Sequence, residues 1–223
     1  MRKGDKPLRS GSKIDLSSIL AAAFAVLDED GFDGLTVRAV ADYLKVQPPA
    51  LYWHVKSRNE LLTLMSRTYM DAAAQREVVA ADWCAMLKEF ARGLREAMLR
   101  HRDSARLCLA AEPHGKPSDL VKLRLAPLIA DGLDDNLALL YQASIMAYTV
   151  GWVGYEQSPA MHEYLAEIID FETSFETGLE ALVMGFEHRR TMLIPMRKEK
   201  SRSRELGHKA RGKGRRDRHG LEP

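Results

Sequence analysis

The chain has 223 residues, 46% of them hydrophobic and 29% charged. That ordinary globular balance excludes a chain that is disordered or low in complexity throughout, and the length suits one sizeable domain or two small ones. The two cysteines, Cys84 and Cys108, make no disulfide scaffold and lack the CxxC spacing of a zinc site, so a reduced, cytoplasmic protein is expected. The formal charge is only +2, but it is unevenly spread. Residues 1–13 hold five Lys/Arg against Asp5, a net +4, and residues 197–223 hold eleven against four acids, a net +7, which leaves −9 between them. Basic ends on an acidic body suit a polyanion, or are simply solvated. The basic N-terminus leads into no apolar signal core.

Helix signals dominate, and no alternating strands with tight hairpin turns occur. Asp15 is placed to cap a helix whose Leu16, Leu20, Ala23 and Leu27 share a face, and Gly31 stands where a left-handed C-cap is wanted. Thr36 caps a short helix with Val40, Ala41 and Leu44 inside. After the turn at Lys45-Val46, another begins at Gln47, carries Pro48 and Pro49 in its first turn, and ends near His54. Ser57 and Glu60 form an S-x-x-E capping box for a longer helix with Leu61, Leu62, Met65 and Tyr69. Asp82 caps a helix with Trp83, Met86, Leu87, Phe90, Leu94 and Met98 at helical spacing. Beyond a break at 112–117, Ser118 opens a helix that ends near Gly132. Residues 135–157 form an apolar helix, Ser158-Pro159 breaks it, and a last helix covers 171–194 and stops at Pro195. The remainder is basic and aperiodic and reads as disordered.

Leu137 to Tyr155 is a run of 19 residues without a charge, long enough to cross a bilayer. Gln142, Ser144, Thr149 and two glycines interrupt it, so a helix buried in a subunit interface is expected instead of a membrane span.

Two short helices joined by a tight turn and braced on both sides make a helix-turn-helix, here about 36–43 and 47–54. Arg38 has a fork that fits guanine, Gln47 can pair with adenine, and Pro49 and Ala50 offer apolar surface to a thymine methyl. Tyr52, His54, Lys56 and Arg58 can reach phosphates. Leu51 and Val55 are core positions, and Trp53 partly so. Such units also occur in proteins that bind no nucleic acid. Residues 14–66 hold seven acidic and four basic residues, a net −3, so the residues alone leave both readings open.

The segments LTVRAVADYLKV at 35–46 and PALYWHVK at 49–56 closely resemble the helix-turn-helix of the tetracycline-repressor (TetR) family. The segments LRHRDSAR at 99–106 and FETGLEALVMGFE at 175–187 extend the resemblance to about residues 14–190. It implies an all-α fold: an N-terminal three-helix DNA-binding domain at 14–60, and a helical ligand-binding and dimerisation domain at 61–195. These would be flanked by a basic arm at 1–13 and a basic tail at 196–223. It also implies a homodimer, paired through the helices at about 135–157 and 171–194, on palindromic operator DNA. Arg38, Pro49, Tyr52, Trp53 and His54 match the family's DNA contacts. The family's base-reading Gln falls at Pro48, two of its Thr positions at Val37 and Ala50, and its turn Gly at Lys45, which implies a different operator.

The ligand pocket departs further. The metal-binding His of tetracycline-binding members falls at Cys108, with Ala111 and Glu112 for its Thr and Arg neighbours. Phe90, Leu94 and Ala74 replace an Asn, a Phe and a His, and Tyr155, beside Glu156, stands where the partner subunit donates an acid. A magnesium–tetracycline chelate needs hard ligands around an octahedral ion, which this set does not supply. The expected inducer is an apolar or aromatic small molecule, not tetracycline, held by Met86, Phe90, Leu94, Trp152 and Tyr155, with Glu112 for a cation or hydroxyl. The alternative is that Phe90 and Leu94 simply fill the space as core, and Cys108 is a buried small hydrophobe. The seven histidines form no HExxH, and there is no phosphate loop or GxSxG, so neither enzyme activity, a metal nor a cofactor is expected. The function expected is a ligand-released repressor. A small-molecule carrier on the same scaffold is the competing reading.

Overall fold

The computed structural model describes residues 14–75, 82–112, 125–131 and 133–213, with side chains as far as residue 192. The arm at 1–13, the expected helix start at Ser118 and residues 214–223 lie outside these. Among the described residues are ten α-helices and no strand, the all-α architecture expected.

Helix α1 (Leu16–Gly34) starts at a reciprocal cap: the Asp15 carboxylate accepts from the Ser18 amide at 2.8 Å, and the Asp15 amide donates to Ser18 Oγ at 3.1 Å. Gly31 has positive φ as expected, but with ψ of −178° it kinks the helix instead of making a left-handed cap. Helix α2 (Val37–Leu44) is capped by Thr36 Oγ1, which accepts from the Ala39 amide at 3.0 Å. Helix α3 (Pro48–Tyr52) is shorter than expected, because Gln47 is its N-cap and the chain leaves the helix at Trp53. Helix α4 (Arg58–Ala74) is capped by Ser57, but Glu60 reaches back to the Lys56 amide at 2.6 Å instead of the Ser57 amide.

Helix α5 (Trp83–Leu99), capped by Asp82, is the central rod and packs on α4 and on α8. Helices α6 (Ser104–Ala110) and α7 (Ala126–Ala130) are short. Helix α8 (Asp135–Gln157) is capped by Asp134 and has the bounds read from the sequence. By length and composition it is apolar enough to span a membrane, yet Ala138, Tyr141, Ile145 and Val153 are buried within the protein. Helix α9 (Pro159–Ala166) was not anticipated: Pro159 breaks α8 but sits at the first turn of a new helix, where a missing N–H is harmless.

Helix α10 (Phe171–Lys213) corrects the expectation of a stop at Pro195. Proline disfavours a helix interior, but 196–213 is rich in Arg, Lys and Glu, all strong helix formers. By packing, the chain divides at Leu179/Glu180 into a large unit and the distal part of α10.

In the large unit one apolar cluster runs through Ile19 and Leu27 of α1, Val40 of α2, Leu51 of α3, Leu62 and Met65 of α4, Leu94 and Met98 of α5, Leu107 of α6 and Val153 of α8. Each buried Leu contributes roughly 1.5–3 kcal/mol. The helix-turn-helix therefore shares its core with the helices that follow it.

Candidate nucleic-acid interface and ligand site

Helix α3 has five residues, too short to persist alone, and its one buried member is Leu51. Leu51 and Val55 anchor it, and this throws the residues between them outward. Trp53 is 88% exposed, not partly core as expected, and Tyr52, His54 and Lys56 are exposed beside it. Gln47 is exposed and its carboxamide is not used as a cap, so both its donor and its acceptor are available to a base. Lys45 takes the left-handed conformation (φ 57°, ψ 41°), so the turn keeps a geometry that glycine would favour. On α2 the side chain of Arg38 is 86% exposed, with Asp42 at 4.0 Å. Pro48 and Ala50 are half-buried, while Pro49 is exposed.

Arg58 is used differently from the phosphate contact expected of it. Its guanidinium donates to the Leu35 carbonyl at 2.7 Å and to the Phe32 carbonyl at 2.8 Å, and lies 4.6 Å from the Phe32 ring centroid. It fastens the α1–α2 turn. Arg106 of α6 lies 4.8 Å from the same ring centroid and pairs with Asp33 at 3.0 Å. Asp103 accepts from the Phe32 amide at 2.9 Å. Asp28 accepts from the Arg102 amide at 3.1 Å and meets His101 Nδ1 at 2.8 Å. Gly31 lies within this knot: a Cβ there would stand 3.0 Å from Asp103 Oδ2, and its φ of 75° suits glycine alone. Gln157 secures the other side of the α5–α6 corner, donating to the His101 carbonyl at 2.7 Å and accepting from Ser104 Oγ at 3.2 Å. None of these partners except Gly31 was legible in the sequence. They meet across long stretches of chain, and no local pattern marks them.

The expected ligand residues do not all fall together. Leu94 is wholly buried, and Phe90, Cys108 and Ala111 pack against the same cluster. Cys108 accepts a long contact from Ser66 Oγ at 3.8 Å, and burial pushes its thiol up to about 11. Nearby, the Tyr69 hydroxyl is buried with no hydrogen-bond partner among the described residues. Glu112 points elsewhere: its carboxylate accepts from Asn59 at 2.8 Å, and its carbonyl from Thr63 at 3.2 Å. Trp152 and the half-exposed Tyr155 belong to a row of rings with Tyr148 and Phe171. Met86 is half-buried on α5. A cleft of about 450 Å³ opens elsewhere, against Arg92, Arg95, Leu99, Phe175 and Glu176. Its charges neutralise one another: Arg92 pairs with Glu176 at 2.6 Å, and Arg95 with Glu156 at 2.8 Å and with Glu172.

An anchored short helix with an exposed Tyr-Trp-His edge, preceded by an exposed arginine and fused to a larger helical body, defines a helix-turn-helix DNA-binding protein with an appended ligand-binding domain. The family description "Bacterial regulatory proteins, tetR family" matches residues 19–65, and "Tetracyclin repressor-like, C-terminal domain" matches residues 79–165. The class D tetracycline repressor of Escherichia coli is 30% identical over 204 residues, covering 82% of this chain and 94% of that protein. The crystal structure of TetR from Acinetobacter baumannii AYE is similar with a TM-score of 0.67 and 31% identity, over 80% of this chain and 99% of that one. A class A TetR solved with 5a,6-anhydrotetracycline and magnesium gives 0.63 at 29% identity, over 78% and 99%. The chain belongs to the TetR family of transcriptional regulators.

Proposed function

We propose that this regulator is a cytoplasmic repressor and not an enzyme. As a homodimer it binds a palindromic operator, and it leaves the DNA on binding an apolar or aromatic small molecule other than tetracycline. The observation that carries the DNA reading is the exposed edge of α3, with Trp53 88% exposed between the buried Leu51 and Val55. Trp53 adjoins the half-exposed Tyr52, and contiguous exposed apolar surface of this kind marks an interaction site. Arg38 and Gln47 are the bases' readers, and Tyr52, His54 and Lys56 position the protein on phosphates. A two-fold dimer places its half-sites about one helical turn, ~34–36 Å, apart.

The dimer reading is supported by apolar residues left exposed on the two expected helices: Leu140 and Tyr155 on α8, Met184 and Met192 on α10. Gly151 and Gly185 have open space where a Cβ would be, so this chain's own packing does not require them, whereas a closely approaching partner helix would. Against tetracycline, Cys108 is a half-buried thiol beside Ser66 and Glu112 is held by Asn59. A thiol is too soft for an octahedral magnesium, and the Glu112 carboxylate, though a hard ligand, is committed to Asn59. Release requires a ligand that binds one conformer better than the other. The fastenings of Asp28, Phe32 and Asp33 to the α5–α6 corner supply a direct connection from the ligand domain to α1.

Enrichment of random duplex DNA on the purified protein, followed by sequencing, tests this. A shared palindrome, lost in Arg38→Ala while the dimer persists, is the expected result. Without enrichment the repressor reading fails and the carrier reading takes its place; the net −3 of residues 14–66 and the internal use of Arg58 are what favour the latter.

A further inference from the structure

The cleft of about 450 Å³ between α5 and the start of α10 takes no part in the reading above, yet its size falls within the range of small-molecule sites. On α5, Arg92, Glu96 and Arg100 recur every four residues with Arg95 and Leu99 beside them, which sets all five along one side of the helix. Leu99, 40% exposed, and the wholly buried Phe175 of α10 supply its apolar wall.

The ion pairs of this cleft differ in how firmly they are held. Arg92 is fully engaged: its Nε and Nη2 donate to the two oxygens of Glu176 at 2.9 and 2.6 Å, and its Nη1 donates to Glu89 at 2.6 Å. Arg95 is engaged on two sides that are not alike. Its Nε and Nη2 donate to both oxygens of Glu156 at 2.8 and 2.9 Å, and the two side chains are each only 11% exposed. Its Nη1 donates to Glu172, whose side chain is 68% exposed. The first pair is shut away from water and costly to break. The second is not, because a carboxylate that exposed is hydrated as soon as it lets go, and exposed pairs contribute little. The guanidinium is therefore fixed by Glu156 and by the Phe175 ring, whose centroid lies 4.8 Å from its carbon. It presents its remaining edge to a partner that can be exchanged.

We propose that this cleft is a second small-molecule site, whose ligand is a carboxylate with an apolar body. The ligand carboxylate takes the place of Glu172 on Arg95 Nη1, and the apolar body lies against Leu99 and Phe175. One carboxylate replaces another, so the charge around Arg95 does not change. A cation has no such opening: the lining acids Glu96, Glu172 and Glu176 are each held by an arginine, namely Arg100, Arg95 and Arg92. The exchange also frees the first turn of α10 from α5, on a helix that the dimer reading assigns to the partner contact. The site goes beyond the inducer reading, since none of the residues expected to hold the inducer lines it, and its test needs no DNA.

Isothermal titration calorimetry of the full chain with phenylbutyrate tests this, with phenylbutanol and phenylbutylamine as the neutral and cationic controls. Saturable binding of the carboxylate alone is expected. Glu172→Gln removes the internal competitor and should tighten that binding by up to about fivefold, the factor by which an exposed ion pair competes. Glu163→Gln, at an exposed acid on α9 outside the cleft, should leave it unchanged. Arg95→Lys keeps a cation for Glu156 but loses the planar fork, and should weaken binding; if that variant does not fold, the Glu172→Gln result decides alone. Absence of saturable phenylbutyrate binding overturns the proposal. So does equal binding of the alcohol, which makes the recognition apolar only. An unchanged affinity in Glu172→Gln also overturns it, because the carboxylate then sits elsewhere, the expected inducer pocket included. Equal tightening in Glu163→Gln does the same, as the effect is then general charge attraction.

Discussion

The guanidinium of Arg58 donates to two carbonyls of the α1–α2 turn and stacks on Phe32. An arginine one turn beyond a recognition helix reads as a phosphate contact in sequence, but the nearest acceptors are within the protein. Arg58→Ala should lower the unfolding free energy by about 1.5–3 kcal/mol, measured by urea denaturation, and leave the salt slope of DNA binding unchanged. A variant of unaltered stability and reduced slope would return Arg58 to the phosphates. Cys108 makes a different case. Burial raises its thiol from the ordinary value of 9.0 to about 11, so between these values the unfolded chain has released a proton that the folded chain retains. Its contribution is intact below pH 9 and is lost as the pH climbs towards 11. Burial also holds the Tyr69 phenol well above its usual range, in the same direction. Denaturation midpoints at pH 7.5 and 10.5 should therefore diverge, and Cys108→Ala should remove up to about 2 kcal/mol of the difference.

At the scale of elements, the turn between α2 and α3 is held against local preference. Lys45 occupies a left-handed conformation that costs a residue with a Cβ about 1–2 kcal/mol, and the Lys45 amide still closes α2 onto Asp42 and Ala41. Lys45→Gly should raise the thermal midpoint by an amount equivalent to about 1 kcal/mol without changing the DNA sequence preferred. A loss of stability would mean that the lysine side chain makes a contact stronger than the strain. Proline is read two ways along this chain. Pro48, Pro49 and Pro159 lie in first turns, where rigidity helps. Pro195 lies inside α10, where proline normally ends a helix. Local rules anticipate Pro48 and Pro49 and allow Pro159 once a helix follows it, whereas the fourth depends on how strongly its neighbours favour helix on both sides.

For the whole molecule, a homodimer paired through α8 and α10 would gain stability by mass action. Its melting temperature should rise with protein concentration over a hundredfold range, and Met184→Glu should abolish that dependence. A concentration-independent midpoint would count against the dimer. Much of this architecture was legible in the sequence. The caps Asp15, Thr36, Ser57 and Asp82, the all-helical class, the bounds of α8 and the buried anchors Leu51 and Val55 all follow from local hydrogen-bonding chemistry and helical periodicity, which act over a few residues. The tertiary structure alone decided which polar groups meet. It put Arg58 and Arg106 on one phenylalanine, Asp103 against Gly31, and Glu112 on Asn59. It separated the residues expected in one pocket into a core group, an aromatic row and a surface contact. Those outcomes depend on the angles at which helices distant in sequence cross, and an amino-acid pattern with a period of 3.6 residues carries no record of them.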